Sequence, residues 1–242
     1  MEKLITDFIT RRVSHAAGGT TYREPLVGFA RAGDPLFQQL KAVAGPEHLL
    51  PEDLLPEARS VVAFFVPFDR ELVRVNRLHP YVAREWALAY IETNRLLEDI
   101  CGELAGELAG YGINVAWQLP THNFDQQRLV AAWSHKHVAY ICGLGTFGRH
   151  TMLITARGCA GRLGTLVLDY ELRPSSRPEQ RFYEKCVKCH YCSEICPVQA
   201  LGEHGLDKQL CYQYLLEIDA YYADLPVCDV CGKCATGPCA VR

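Results

Sequence analysis

The chain has 242 residues, a formal net charge of −3, 49% hydrophobic residues and twelve cysteines. That length suits one large or two small domains. No apolar run reaches the roughly 20 residues of a membrane span, and no basic block offers nucleic acid an electrostatic footprint. No signal-peptide pattern opens the chain, so its cysteines are expected to stay reduced in the cytoplasm rather than form a disulfide framework.

In chain order, Leu4, Ile5, Phe8, Ile9 and Val13 recur at helical spacing, which predicts an amphipathic helix over residues 2–14. The β-branched and aromatic run Ala58 to Phe68 predicts a buried strand. Trp86, Tyr90, Leu97, Ile100, Leu104 and Leu108 form one apolar stripe of a long helix that Gly110 and Gly112 end. Residues 113–119 read as a strand, 126–141 as a second helix, and 150–155 and 164–170 as further strands. Arg173 to Glu179, rich in Pro, Ser and charge, reads as a linker. The pattern predicts an α+β domain over residues 1–172 and a cysteine-rich domain over 180–242.

The most specific signal lies in that second part. Cys186, Cys189, Cys192 and Cys196, with Pro197, make the CxxCxxCxxxCP run by which bacterial ferredoxins hold cubane iron–sulfur clusters. Three thiolates two residues apart wrap one cluster from a tight loop, and the fourth goes to another cluster. Cys211, Cys228, Cys231, Cys234 and Cys239 follow, so nine of the twelve cysteines serve two [4Fe-4S] clusters that need eight. Sequence order assigns Cys186, Cys189 and Cys192 to one cluster, closed by Cys234 or Cys239. It assigns Cys196, Cys211, Cys228 and Cys231 to the other. Structural zinc also uses CxxC steps, but rarely three in succession with a Cys-Pro ending.

Gly143, Leu144, Gly145, Thr146, Phe147 and Gly148 match GxGxxG. A dinucleotide fingerprint needs a strand before it and a helix after it. Here the order is reversed, so a glycine turn that lets backbone approach a bulky cofactor is the expectation.

The segment Gly143 to Ile154 resembles the AGLGWIGKNTLLI-like stretch of the epoxyqueuosine reductase family. Cys186 to Pro197 is similar to that family's first cluster motif, Cys211 to Glu217 to its CISYLTIE segment, and Cys228-Asp-Val-Cys231 to its GCDxC. The resemblance implies a cobalamin bound by an N-terminal domain related to nitroreductases and B12-processing proteins. That domain precedes a bacterial-type two-cluster ferredoxin domain with crossed ligation, and reductive dehalogenases resemble the same arrangement. It further implies an oxidoreductase that takes electrons from a low-potential donor such as a ferredoxin or flavodoxin and passes them through the clusters to the corrinoid and a small-molecule substrate. A corrinoid-handling partner protein and a clusters-only electron carrier are the alternatives. The family's tRNA-holding extension has no counterpart here and the net charge is acidic, so tRNA is not the expected partner.

The family places an acidic proton donor upstream of the glycine turn, where the nearest acid here is Asp125. Asp125 and His137 are the candidate catalytic residues. His135, two positions away, faces another side of a helix. Cys101 reads as a small buried hydrophobe, Cys142 abuts the glycine turn where it could line the cofactor pocket, and Cys159 reads as a packed thiol. Arg157 and Arg162 flank the Cys159 loop, where they could hold carboxylate or amide-bearing edges.

Overall fold

A computed structural model describes residues 1–179, 183–202 and 205–242. Its elements are α1 (Glu2–Ser14), β1 (Leu26–Arg31), α2 (Pro35–Val43), α3 (Pro51–Leu54), β2 (Ser60–Pro67), α4 (Arg70–Leu78) and the long α5 (Arg84–Ala109). After these come β3 (Val115–Trp117), β4 (Phe124–Asp125), β5 (Val130–Ala131), α6 (His135–Ile141), β6 (Gly145–Phe147), β7 (Leu153–Thr155) and β8 (Gly161–Leu168). The cysteine-rich part adds α7 (Tyr191–Glu194), β9 (Leu201–Gly202), β10 (Gly205–Leu206) and α8 (Lys208–Tyr221). No described helix is long and apolar enough to cross a membrane.

The main sheet runs β1-β2-β8-β3, with every neighbouring pair antiparallel. β2 is buried at all eight positions, which explains its unbroken apolar sequence, because both faces are covered. Val62, Phe64 and Val66 point to one side, where Ile5, Phe8 and Ile9 of α1 meet Leu97, Ile100 and Leu104 of α5. Val61, Ala63 and Phe65 point to the other, against Phe37 and Leu40 of α2 and Val138 and Ile141 of α6. The alternation of β2 side chains thus splits one strand between two cores.

α5 also belongs to two cores. Its C-terminal half lies on the sheet, and Trp86, Ala87 and Tyr90 of its first turns join Tyr214 and Ile218 of α8 in a third cluster. The cysteine-rich segment is therefore packed on the helix that supports the sheet. Two backbone hydrogen bonds, Cys159 N–H to the Cys239 carbonyl (3.0 Å) and Ala160 N–H to the Ala240 carbonyl (3.1 Å), zip its C-terminus to the loop before β8.

Three expectations need correction. Residues 126–141 are helical only from His135; upstream of it, β4 and β5 form a short hairpin. The Asp125 carboxylate accepts the N–H groups of Gln127 (2.9 Å) and Arg128 (3.0 Å), and such local side-chain to backbone bonds favour a turn over a helix. The stretch Arg173 to Glu179 has no regular secondary structure but is docked. Ser175 N–H donates to the Phe29 carbonyl (2.9 Å), and Arg177 reaches both Asp34 (3.0 Å) and the Ile141 carbonyl (3.2 Å).

The third concerns the glycine motif, whose close approaches at Gly143 and Gly145 are made by protein backbone. Gly143 has φ +83°, and a Cβ there would lie 2.5 Å from the Ser176 carbonyl oxygen of the docked segment. Gly145 to Phe147 are β6, paired with β7, and the Ile154 carbonyl stands 2.2 Å from where a Gly145 Cβ would be. Leu144 is buried in the core on the α2/α6 side.

Candidate functional site

The first three motif cysteines are presented by two tight turns. Cys186 lies in a 3-10 turn, Glu184–Val187, and Cys192 in α7. Cys196 follows α7, and its Sγ accepts the Ala200 N–H at 3.3 Å. Pro197 cannot extend that helix, so the chain turns away and carries Cys196 from its three companions. Cys211 sits in the first turn of α8, which Asp207 caps by accepting the Leu210 N–H (2.9 Å). Cys231 precedes Gly232, whose left-handed φ of +67° and contact with the Trp86 indole leave no room for a side chain.

The thiols fall into two groups. Cys192 is pushed up by burial and then by the charges of Cys239, Cys186 and Cys189, and Cys186 by burial and by Cys239 and Cys189. Cys239 therefore joins the first three. Cys231 is pushed up to about 11 by burial and by Cys211 and Cys196. Cys234 is pushed up by burial, by Cys231 and Cys211, and then by Cys192 of the first group and Cys196, and it lines one cavity with Cys196, Cys211 and Cys231. The second group is Cys196, Cys211, Cys231 and Cys234.

Cys228 departs from expectation. It is fully buried against the α8 cluster, its N–H donates to Asp219 Oδ1 at 2.7 Å, and its thiol is raised to about 11 by burial and then by Asp219 and Asp229. Its place in the second group is taken by Cys234. Spacing counts residues but does not show which way a Cys-Asp-Val-Cys turn faces, and here Asp219 pins the first cysteine to α8.

Two residues outside the motif converge on Cys239. His150 Nε2 lies 3.4 Å and Cys159 Sγ 3.7 Å from Cys239 Sγ. The Met152 N–H donates to His150 Nδ1 (3.1 Å), which places the imidazole proton on Nε2, facing Cys239. Hydrogen bonding from Cys159 and His150 lowers Cys239 to about 5, while the same pairing and burial keep Cys159 protonated. The sequence carries no signal for this trio, since its members come from β7's approach, the β8 loop and the C-terminus.

The sulfur atoms of the second group border a cavity of about 360 Å³. All four of its cysteines line the cavity, together with Cys159, and aromatic side chains Phe68, Trp86, Tyr90, Phe124, Tyr212 and Tyr214 complete a mainly apolar wall. Tyr90 donates to Asp229 Oδ1 at 2.6 Å, and burial pushes its hydroxyl up to about 12. Arg162 stacks 4.5 Å over the Tyr90 ring. Arg157, its counterpart across the loop, is instead paired with Glu24 on the surface.

The catalytic candidates lie elsewhere. Asp125 does not line the cavity; its carboxylate serves the β4–β5 turn and pairs with Arg128 at 2.9 Å. His137 bonds Ser134 Oγ (2.7 Å) and packs against Phe147, and burial lowers its pKa to about 4. His135 is lowered to about 4 by burial and is held by Thr165 (2.9 Å) and the Leu119 carbonyl (3.0 Å). Burial disfavours the charged form of both imidazoles, and their hydrogen bonds tie them to neighbouring elements. Cys101 and Cys142 are buried in the two cores flanking the sheet, as packed thiols.

The donor set fits two cubane clusters: eight thiols in two groups of four, with the fourth motif cysteine in the group away from the first three. A corrinoid fits less well. The cavity is at the small end of those that enclose a drug-sized molecule, a second-group cluster would fill part of it, and a whole corrinoid is far larger.

Comparison with known proteins supports an iron–sulfur segment and the fold. Residues 180–202 match the family model described as a 4Fe-4S binding domain. No curated protein matches the chain. Among solved structures, the chain is similar to an epoxyqueuosine reductase bound to a tRNA-Tyr stem loop, with 18% identity and a TM-score of 0.60 over 90% of this chain and 57% of that one. The epoxyqueuosine reductase of Streptococcus thermophilus gives 17% and 0.60 over 98% and 66%. A catabolic reductive dehalogenase in complex with 3-bromo-4-hydroxybenzoic acid gives 15% and 0.62 over 90% and 30%. The chain thus has the epoxyqueuosine reductase-like fold, and it spans less than two thirds of the length of these relatives.

Proposed function

We propose that the protein is an iron–sulfur oxidoreductase in which electrons from a low-potential donor pass through two [4Fe-4S] clusters to an acceptor held in the cavity. The first cluster would be ligated by Cys186, Cys189, Cys192 and Cys239, the second by Cys196, Cys211, Cys231 and Cys234. Such clusters supply one-electron transfer at low potential. The observation that carries the reading is that all four thiols of the second group form the cavity wall, so whatever binds there lies beside an electron source. Packing of α8 on the first turns of α5 keeps the cysteine-rich segment beside this cavity.

The chain's own residues supply the rest of the site. Aromatic walls exclude water, which strengthens every charge interaction inside. The Tyr90 hydroxyl, facing the cavity and bonded to Asp229, holds a proton that a reduced acceptor can take, and solvent then restores it. On this geometry Tyr90 is a better proton source than Asp125.

Cobalamin as the acceptor's reducing partner is proposed from the likeness to cobalamin-dependent enzymes alone, and no step is derived through it. Anaerobic purification with cobalamin present, followed by cobalt analysis, tests it. Stoichiometric cobalt supports a corrinoid reductase. Absence of cobalt beside full iron supports direct reduction of a small molecule by the second cluster. The tRNA stem loop belongs to the epoxyqueuosine reductase that holds it; the acidic balance here favours a small acceptor.

A further inference from the structure

We propose that the cavity binds a small organic molecule bearing an oxyanion, a carboxylate or a phosphate, whose charge pairs with the guanidinium of Arg162. This deepens the reading of the cavity as an acceptor site and names the class of acceptor.

Arg162 is the second residue of β8, and its side chain lines the cavity. Its Nε is completely enclosed and has no hydrogen-bond partner among the described residues. The other arginines set the contrast. Arg12 is paired with Glu103 at 2.5 Å, Arg84 with Asp224 at 2.5 Å and Arg177 with Asp34 at 3.0 Å, whereas no carboxylate bonds the half-buried Arg162 among the described residues. A guanidinium that can be solvated gains little from a carboxylate. One withdrawn from water costs several kcal/mol unless an opposite charge meets it.

One acid, Asp229, supports the Arg162 charge, but no hydrogen bond joins the two among the described residues, and Asp229 accepts the Tyr90 hydroxyl at 2.6 Å and faces His122 Nε2 at 3.7 Å. The second buried cation of the cavity, Lys233, is already satisfied by the carbonyls of Asn76 (2.5 Å) and His79 (2.6 Å). What holds Arg162 in place is the Tyr90 ring under its plane. Stacking fixes the guanidinium while leaving its N–H fork free for two parallel bonds to an oxyanion. The apolar walls then receive the body of the ligand, and the Tyr90 hydroxyl stands beside it.

The test is anaerobic calorimetric titration of the intact iron-loaded protein with phenylacetate, phenyl phosphate and the neutral phenylacetamide, in wild type, R162Q and R162K. At least one anion is expected to saturate the wild type and to bind R162Q at least about tenfold more weakly, the loss expected for one charge-assisted bond. R162K should keep part of the affinity, and the amide should not distinguish the three proteins. Which anion binds identifies the carboxylate or the phosphate source. Anion affinities equal in wild type and R162Q, or no anion binding to wild type, overturn the proposal. Iron is measured on the same samples, so anion binding without iron overturns the cluster reading alone, and full iron without anion binding overturns the anion site alone. R162K with wild-type iron content guards against loss of fold in R162Q.

Discussion

The imidazole of His150 points its Nε2 proton at Cys239 Sγ across 3.4 Å, and the Met152 N–H bonded to its Nδ1 fixes that tautomer. Cys159 adds a second donor to the same sulfur. Hydrogen bonds to cluster sulfurs stabilise the reduced, more negative state and raise the potential. H150L and C159A are therefore each expected to shift one cluster to a more negative potential in an EPR-monitored redox titration, by about a tenfold change in the reduction equilibrium, or about 59 mV for one electron. The other cluster should not move. Unchanged potentials at full iron content would remove both residues from this role.

The two thiol groups make a second expectation. C228A should retain about eight iron atoms per chain, because Cys228 is turned to Asp219 and α8. C234A should fall to about four as the second cluster is lost. The opposite pattern would restore the assignment that residue spacing suggests. Iron and sulfide assays on anaerobic preparations decide between them.

Gly143 makes room for the docked segment. In G143A the methyl group would meet the Ser176 carbonyl in a left-handed backbone, which should cost about 1–3 kcal/mol of stability. Chemical denaturation should show that loss with iron content unchanged. A variant as stable as wild type would mean that residues 173–179 are not held as described.

The pH dependence of stability follows from the buried imidazoles. His135 and His137 have folded pKa values lowered to about 4, against 6.5 unfolded. Between those values the unfolded chain binds more protons, so stability is full above about pH 6.5 and falls as pH drops towards 4. Each imidazole contributes at most about 1.4 kcal/mol per pH unit in that window. His48 adds in the same direction, since its Nε2 accepts the Ser134 N–H (3.0 Å) and burial lowers its pKa. Urea midpoints at pH 7 and pH 5 should differ in wild type, and H137Q should narrow the difference. A midpoint independent of pH would contradict the neutral assignment.

Much of this architecture is legible in the sequence. α1, β2 and α5 carry periodic apolar patterns strong enough to place them, because each fills a core by itself or with one neighbour. The CxxCxxCxxxCP run names its chemistry through local turns. The hairpin β4–β5 was hidden, since Asp125-Gln-Gln-Arg128 lacks the Gly or Pro that usually marks a turn, and the bond that makes it is a side chain capping backbone. The His150–Cys159–Cys239 trio and the cavity around Arg162 depend on contacts between residues 80 to 139 positions apart, and the grouping of Cys234 over Cys228 on which way a turn faces. No local pattern encodes them.

The central claim is that eight of these thiols hold two clusters, and the most direct measurement is iron and acid-labile sulfide per chain in anaerobically purified protein. The account predicts about eight of each, with a [4Fe-4S] EPR signal on reduction. Four or fewer iron atoms in fully folded protein, or zinc in their place, would contradict it.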